Sequence, residues 1–184
     1  MNRTKEQIIG TFVELLEEMP YSKITVRNIV DKCGVNRNTF YYHFQDIPSL
    51  LEELLRSDID LLIQEHCHPG SLEDCISVTV RYFLQKRTAV LHVYRSLPRD
   101  VFLGHLDRLL FYLADEYITS ISSDMKISDK DRSLIARYFK CILVGVILDW
   151  LDAGMNYDIL ADSLRICELR GDSGFQILEN AAQS

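Results

Sequence analysis

Apolar side chains recur along this chain at helical spacing, and no stretch alternates as a strand would. Between residues 4 and 19 the apolar positions Ile8, Ile9, Phe12, Leu15, Leu16 and Met19 form one stripe, with Glu6, Glu14, Glu17 and Glu18 mostly off it, which predicts an amphipathic helix. Met19-Pro20-Tyr21-Ser22 ends that helix, because proline has no amide hydrogen and disfavours helical geometry in the residue before it. Thr25 then stands where a helix cap belongs, and Val26, Ile29, Val30 and Cys33 follow at i, i+3, i+4 and i+7. Gly34 can take the left-handed conformation that closes a helix, Asn36 can cap a third helix, and Phe40 and Phe44 form its inward stripe.

Asp46 can cap again, and Leu50, Leu51, Leu54, Leu55, Ile59, Leu62 and Ile63 predict a long fourth helix to about His66. The clearest linker signal is His68-Pro69-Gly70-Ser71. Further helices are predicted over roughly 72–86, 88–96, 99–122, 129–153 and 156–168, separated by Leu97-Pro98, Ser122-Ser123-Asp124, Ala153-Gly154 and Arg170-Gly171-Asp172. Such short connections suit a bundle. The expectation is an all-α chain of about nine helices: a three-helix helix-turn-helix domain over 1–46, a connecting helix and linker over 47–70, and a C-terminal helical bundle over 71–184.

At 184 residues, 47 % of them hydrophobic and 26 % charged, the composition is that of a globular protein. No apolar run reaches the ~20 residues of a membrane span, and the opening residues show no export signal. A cytoplasmic protein with no membrane association is expected. The five cysteines are scattered and odd in number, so reduced thiols are expected rather than a disulfide framework.

The net charge of -7 suits nucleic acid poorly until it is divided along the chain. Residues 1–50 balance six basic side chains (Arg3, Lys5, Lys23, Arg27, Lys32, Arg37) against six acidic ones (Glu6, Glu14, Glu17, Glu18, Asp31, Asp46). Attraction for phosphate must therefore come from local placement in this segment.

Two short helices joined through a glycine have the geometry that inserts a recognition helix into the major groove. With Phe40 and Phe44 inward, a 100° step per residue leaves Asn38 and Tyr42 outward, flanked by Thr39 and Tyr41, with Arg37 in the first turn. No acidic side chain interrupts residues 36–44. The alternative is a solvated polar face, against which two adjacent outward tyrosines argue, since aromatic rings are normally hidden.

Ile24-Thr25-Val26-Arg27-Asn28-Ile29, Gly34-Val35-Asn36 and Thr39-Phe40-Tyr41-Tyr42-His43-Phe44 resemble, in order, the N-terminal motif of the TetR family of bacterial transcriptional regulators. The resemblance covers roughly residues 5–60, and the body matches loosely, through its helix count and Gly145-Val146-Ile147-Leu148-Asp149-Trp150-Leu151. It implies that Thr25, Arg27, Tyr42 and His43 contact phosphate and that Arg37, Asn38 and Tyr41 read bases, with Asn36 and Thr39 in the same DNA-contacting set. These roles agree with the chemistry: helix N-termini attract phosphate, arginine forks onto guanine and asparagine pairs with adenine. One departure is Ile47, where the family commonly has a lysine that grips phosphate. A shallower salt dependence is expected.

The resemblance further implies a repressor released from double-stranded operator DNA by a small-molecule effector, acting as a homodimer. An adaptor or co-activator whose body binds a protein is the alternative. Residues 134–151 are apolar over more than one face, as a helix covered by its own core and by a second subunit would be, or as a fully buried helix of a monomer. Tyr138, Ile142, Val146 and Trp150 are the expected dimer contacts. Polar or aromatic groups set in apolar helices, namely Tyr82, His92, Tyr94, His105, Phe111, Tyr112 and Tyr138, are pocket candidates, although each also suits a core.

His66-Cys67-His68 with Cys75 has zinc-ligand chemistry but fits no ligand spacing. No metal or cofactor is expected. The chain has no phosphate loop, nucleophile elbow or His-Glu-x-x-His pair, so it is not read as an enzyme.

Overall fold

A computed structural model describes residues 3–66, 72–170 and 176–182. The predicted linker at 67–71, and with it Cys67 and His68, lies outside the described residues, as do the Gly171-Asp172 turn and the side chains of His66 and Cys75. The described residues form ten α-helices and a 3-10 turn, without strands: α1 Arg3–Glu18, the turn Tyr21–Lys23, α2 Val26–Cys33, α3 Arg37–His43, α4 Ile47–His66, α5 Leu72–Gln85, α6 Arg87–Ser96, α7 Arg99–Ile121, α8 Asp129–Asp152, α9 Ile159–Arg170 and α10 Gln176–Ala182. The all-α expectation holds, and α10 is one helix more than the apolar pattern announced.

The chain divides into two compact units, and the division is not linear. The first comprises Met1–Asp58 together with Lys86–Leu103, and the second comprises Ile59–Gln85 and Gly104–Ser184. In the first unit Ile8, Phe12, Ile29, Phe40 and Leu50 are wholly buried, and Ala89, Val93 and Leu97 of the later segment pack in the same core. Helix α6 thus lies against α1 and the 3-10 turn, as an integral part of the unit that holds the helix-turn-helix. Phe12 meets Tyr21 edge to face at 6.4 Å, a favoured aromatic geometry.

In the second unit Ala114, Ile118 and Ile121 of α7 pack with Ile135 and Ala136 of α8, and Leu178 of α10 completes the cluster. Ser128 caps α8, accepting from the Asp131 amide at 3.1 Å, and Lys140 joins α8 to Asp107 of α7 at 2.5 Å. Helix α8 ends at Gly154 and Met155, with φ of 68° and 56°. Trp150, expected to face a second subunit, is instead only 4 % exposed. Its Nε1 donates to the Tyr157 carbonyl at 3.2 Å, so it fastens the α8–α9 corner from inside.

An outward apolar stripe does remain on α8. Leu134, Tyr138, Ile142 and Val146 are 60 %, 53 %, 40 % and 40 % exposed, and their spacing of four residues puts them on one side of the helix. None of the described helices is long and apolar enough to cross a membrane.

Candidate nucleic-acid interface

The turn between α2 and α3 is built from three local devices. Thr25 caps α2 in a reciprocal box: its hydroxyl oxygen accepts from the Asn28 amide at 3.2 Å, while its own amide donates to Asn28 Oδ1 at 2.9 Å. Gly34 takes φ 74°, which a side chain would resist, and the Gly34 and Val35 amides both reach the Val30 carbonyl, at 2.9 and 3.1 Å. Asn36 Oδ1 then accepts from the Thr39 amide at 2.9 Å and from its hydroxyl at 3.1 Å. These bonds fix the two helices locally, and buried Ile29, Val30, Cys33 and Phe40 hold them on the core.

Seven of the nine residues expected to contact DNA fall into two groups. Thr25, Asn36 and Thr39 have side chains engaged in capping the starts of α2 and α3. Arg37, Asn38, Tyr41 and Tyr42 point outward. Tyr42 is 81 % exposed and Tyr41 56 %; Tyr41 leans edge-on against Phe40 at 5.5 Å, and Tyr42 against half-buried His43 at 4.9 Å. Packing on a neighbouring ring restricts each tyrosine and presents its phenol to solvent.

The cations here are partly spoken for. Arg27 Nε lies 3.3 Å from Asp31 Oδ2, one turn on. Lys32 lies between Glu18 and Glu14 at 2.6 and 3.2 Å, and its hydrogen bond to Glu18 holds its ammonium pKa above the ordinary value. Lys5 meets Glu53 at 2.5 Å and sits 6.0 Å over the Phe44 ring. Ile47 packs partly buried against the core, where a lysine would reach out. Arg37 is exposed and makes no ion pair among the described residues.

The division into units redraws the charge balance. Because the segment Lys86–Leu103 brings Lys86, Arg87, Arg95 and Arg99, the first unit holds eleven basic and ten acidic residues, against nine and seventeen in the second. The acidity of the protein belongs to the body.

The seven effector-pocket candidates divide between the two units. His92 and Tyr94 belong to the first unit and Tyr82, His105, Phe111, Tyr112 and Tyr138 to the second. His92 Nδ1 contacts the Leu16 carbonyl at 2.7 Å, and the Tyr94 ring packs on Phe102 at 4.9 Å. Tyr112 donates to Asp60, His105 contacts Arg108 at 3.1 Å, Tyr82 stacks edge-on with Phe83 at 5.5 Å, and Phe111 packs on the second core. Tyr138 lines an open cleft of about 360 Å³ with Asp131, Leu134, Ile135, Ile177 and Ala181.

Sequence reasoning did not anticipate Asp31 as a restraint on Arg27, although their i, i+4 spacing on one helix face was a usable signal. Nor did it anticipate α6 beside the reader, for which no local signal exists.

Residues 8–54 match the profile for bacterial regulatory proteins of the tetR family, and residues 70–168 match the profile for a transcriptional regulator C-terminal region. The chain is 25 % identical over 163 residues to the HTH-type dhaKLM operon transcriptional activator DhaS of Lactococcus lactis, covering 85 % of this chain and 84 % of that protein. It is also 25 % identical over 158 residues to the uncharacterized HTH-type transcriptional regulator YxbF of Bacillus subtilis, of whose length it spans only 40 %. The solved structure of the dihydroxyacetone kinase operon activator DhaS superposes with a TM-score of 0.66 over 97 % of this chain and 96 % of that one, at 19 % identity, a likeness of fold. With more than half of its length in the second profile and its helix-turn-helix in the first, the chain belongs to the TetR family of bacterial DNA-binding transcriptional regulators.

Proposed function

We propose that this chain reads operator DNA through the outward face of α3, with Arg37, Asn38 and Tyr41 on base edges and Tyr42, His43, Thr25 and Arg27 on the backbone. The observation that carries the reading is the exposure of Tyr42, 81 %, next to Arg37, Asn38 and Tyr41 on a helix aimed by two capped turns. Aromatic surface of that kind is hidden unless it has something to meet. Selecting bound duplexes from a random-sequence pool tests it: one enriched motif with two related half-sites is expected, and a pool without enrichment overturns the reading.

A two-turn recognition helix touches few bases, so twofold pairing is part of the same proposal. The α8 stripe of Leu134, Tyr138, Ile142 and Val146 supplies a surface suited to a second copy, and Ile166 and Leu169 of α9 are likewise exposed.

The second unit is the receiver of the signal, a small-molecule effector that binds one conformation better than another and so shifts the population that holds DNA. Repression relieved by that effector is the reading we adopt, and the DhaS relative, named as an activator, makes the sign of regulation a direct question. A reporter driven by the selected operator answers it: expression rising when the gene is deleted supports repression, and falling expression supports activation.

A further inference from the structure

Helix α1 ends on a carbonyl that its own helix cannot satisfy. In an α-helix the Leu16 carbonyl would accept from the amide of residue 20, and residue 20 is proline, which has none. Leu16 is 2 % exposed, and a buried carbonyl without a donor is destabilising. The donor comes from 76 residues further along the chain: Nδ1 of His92, on α6, lies 2.7 Å from this oxygen. A carbonyl can only accept, so Nδ1 carries the hydrogen.

The bond does more than fill a gap. Ala89, Val93 and Leu97 hold α6 in the first core, but apolar packing is non-directional and tolerates sliding, whereas a hydrogen bond fixes one point. Beyond Leu16 the chain is short and internally tied. The Met19 amide still closes on Leu15 at 2.9 Å, Lys23 donates to the Pro20 carbonyl at 2.9 Å, and Ile24 donates to Tyr21 at 3.1 Å. Thr25, the cap of α2, comes next. Helix α6 also packs on the 3-10 turn itself. A displacement of Leu16 against α6 therefore passes through a stiff connector to the start of α2.

We propose that His92 is a positioning residue for operator binding: by donating to the carbonyl that Pro20 leaves unpaired, it registers the end of α1 on α6 and so sets where Thr25 and Arg27 meet the DNA backbone. This rests on the reading of Thr25 and Arg27 as backbone-facing.

Three variants test it, His92→Ala, His92→Asn and the double variant His92→Ala with Pro20→Ala. Each is melted and titrated against a labelled duplex that the wild-type protein has selected from a random pool. Asparagine can place an amide donor near the position of Nδ1. Alanine at position 20 restores an amide that can reach Leu16 within the helix, so the double variant satisfies the carbonyl without tying it to α6. His92→Ala should weaken operator binding about tenfold or more and His92→Asn should stay within about threefold of wild type, changes in the range of one hydrogen bond.

The double variant should recover the melting temperature but not the affinity. Recovery of both would mean that only the carbonyl's satisfaction matters, and would overturn the proposal. So would wild-type affinity in His92→Ala, or an equal loss in His92→Asn. If His92→Ala fails to fold, the double variant carries the comparison, and its binding at wild-type strength overturns the proposal. A wild-type protein that selects no duplex removes the DNA-reading assignment first, and this proposal with it.

Discussion

Arg27 and Asp31 stand one turn apart on the exposed face of α2, with the guanidinium Nε 3.3 Å from a carboxylate oxygen. The pair is open to water, so it is weak in itself. Its importance lies in where it sits, beside the helix start that is proposed to meet phosphate. Replacing Asp31 by asparagine removes a negative charge from that face and releases Arg27. Operator affinity should rise about threefold to tenfold at low salt, and the dependence of log K on log salt should steepen by up to about one phosphate contact. Titrations at several salt concentrations measure both, and an unchanged slope together with unchanged affinity would remove Arg27 from the phosphate set.

Tyr42 contributes little to the fold, being 81 % exposed. Tyr42→Ala should abolish selective operator binding while shifting the melting temperature by no more than about 1 °C, as surface substitutions do. Normal binding by this variant would mean that a different face of α3 meets DNA.

Gly34 tests the turn without touching the interface. A Cβ there meets nothing within 4 Å, yet φ is 74°, so the cost of Gly34→Ala is backbone strain alone. About 1 to 2 kcal/mol is expected, read by denaturant titration, with Gly34→Asn milder because asparagine tolerates the left-handed region. Alanine without a penalty would contradict the left-handed turn.

On α8, Ile142→Glu places a charge in the middle of the outward stripe. Light scattering should then report the mass of one chain where the wild type gives two, and operator affinity should fall with it. A wild-type protein of single-chain mass would end the twofold reading outright.

Asp58 offers a pH signature. Burial pushes its carboxyl above the ordinary 3.8, against the pull of Lys86, whose ammonium lies 3.3 Å away. The folded state therefore takes up this proton more readily than the unfolded state. Its contribution to stability is full below the ordinary carboxylate value and is lost as pH rises through the raised folded value. Asp58→Asn lacks that dependence, so it should gain stability relative to wild type on going from pH 4 to pH 7. Denaturant titrations at the two pH values check the direction, and a relative loss would mean that Lys86 outweighs burial.

The helix-turn-helix is legible in the sequence because each of its signals is local. Thr25, Gly34 and Asn36 act within four residues of themselves, and the inward phenylalanines repeat on one short helix. What escapes is tertiary. Trp150 reads as one more apolar position on α8, and only the folded α8–α9 corner turns it inward to the Tyr157 carbonyl. His92 reads as a pocket group, because nothing near it in sequence mentions Pro20. A linear cut near residue 50 makes the reader neutral and the rest acidic, whereas the folded division assigns the basic α6 to the reader.

That division also orders events during synthesis. The unit that holds the recognition helix has a core built partly from Ala89, Val93 and Leu97, so a chain that has only just left the ribosome past α3 possesses the motif without its full support. The unit that holds the helix-turn-helix becomes complete only once α6 has been made. An N-terminal fragment that stops after α3 thus lacks the part of that core which α6 contributes, and is expected to hold its helix-turn-helix less firmly than the full chain does.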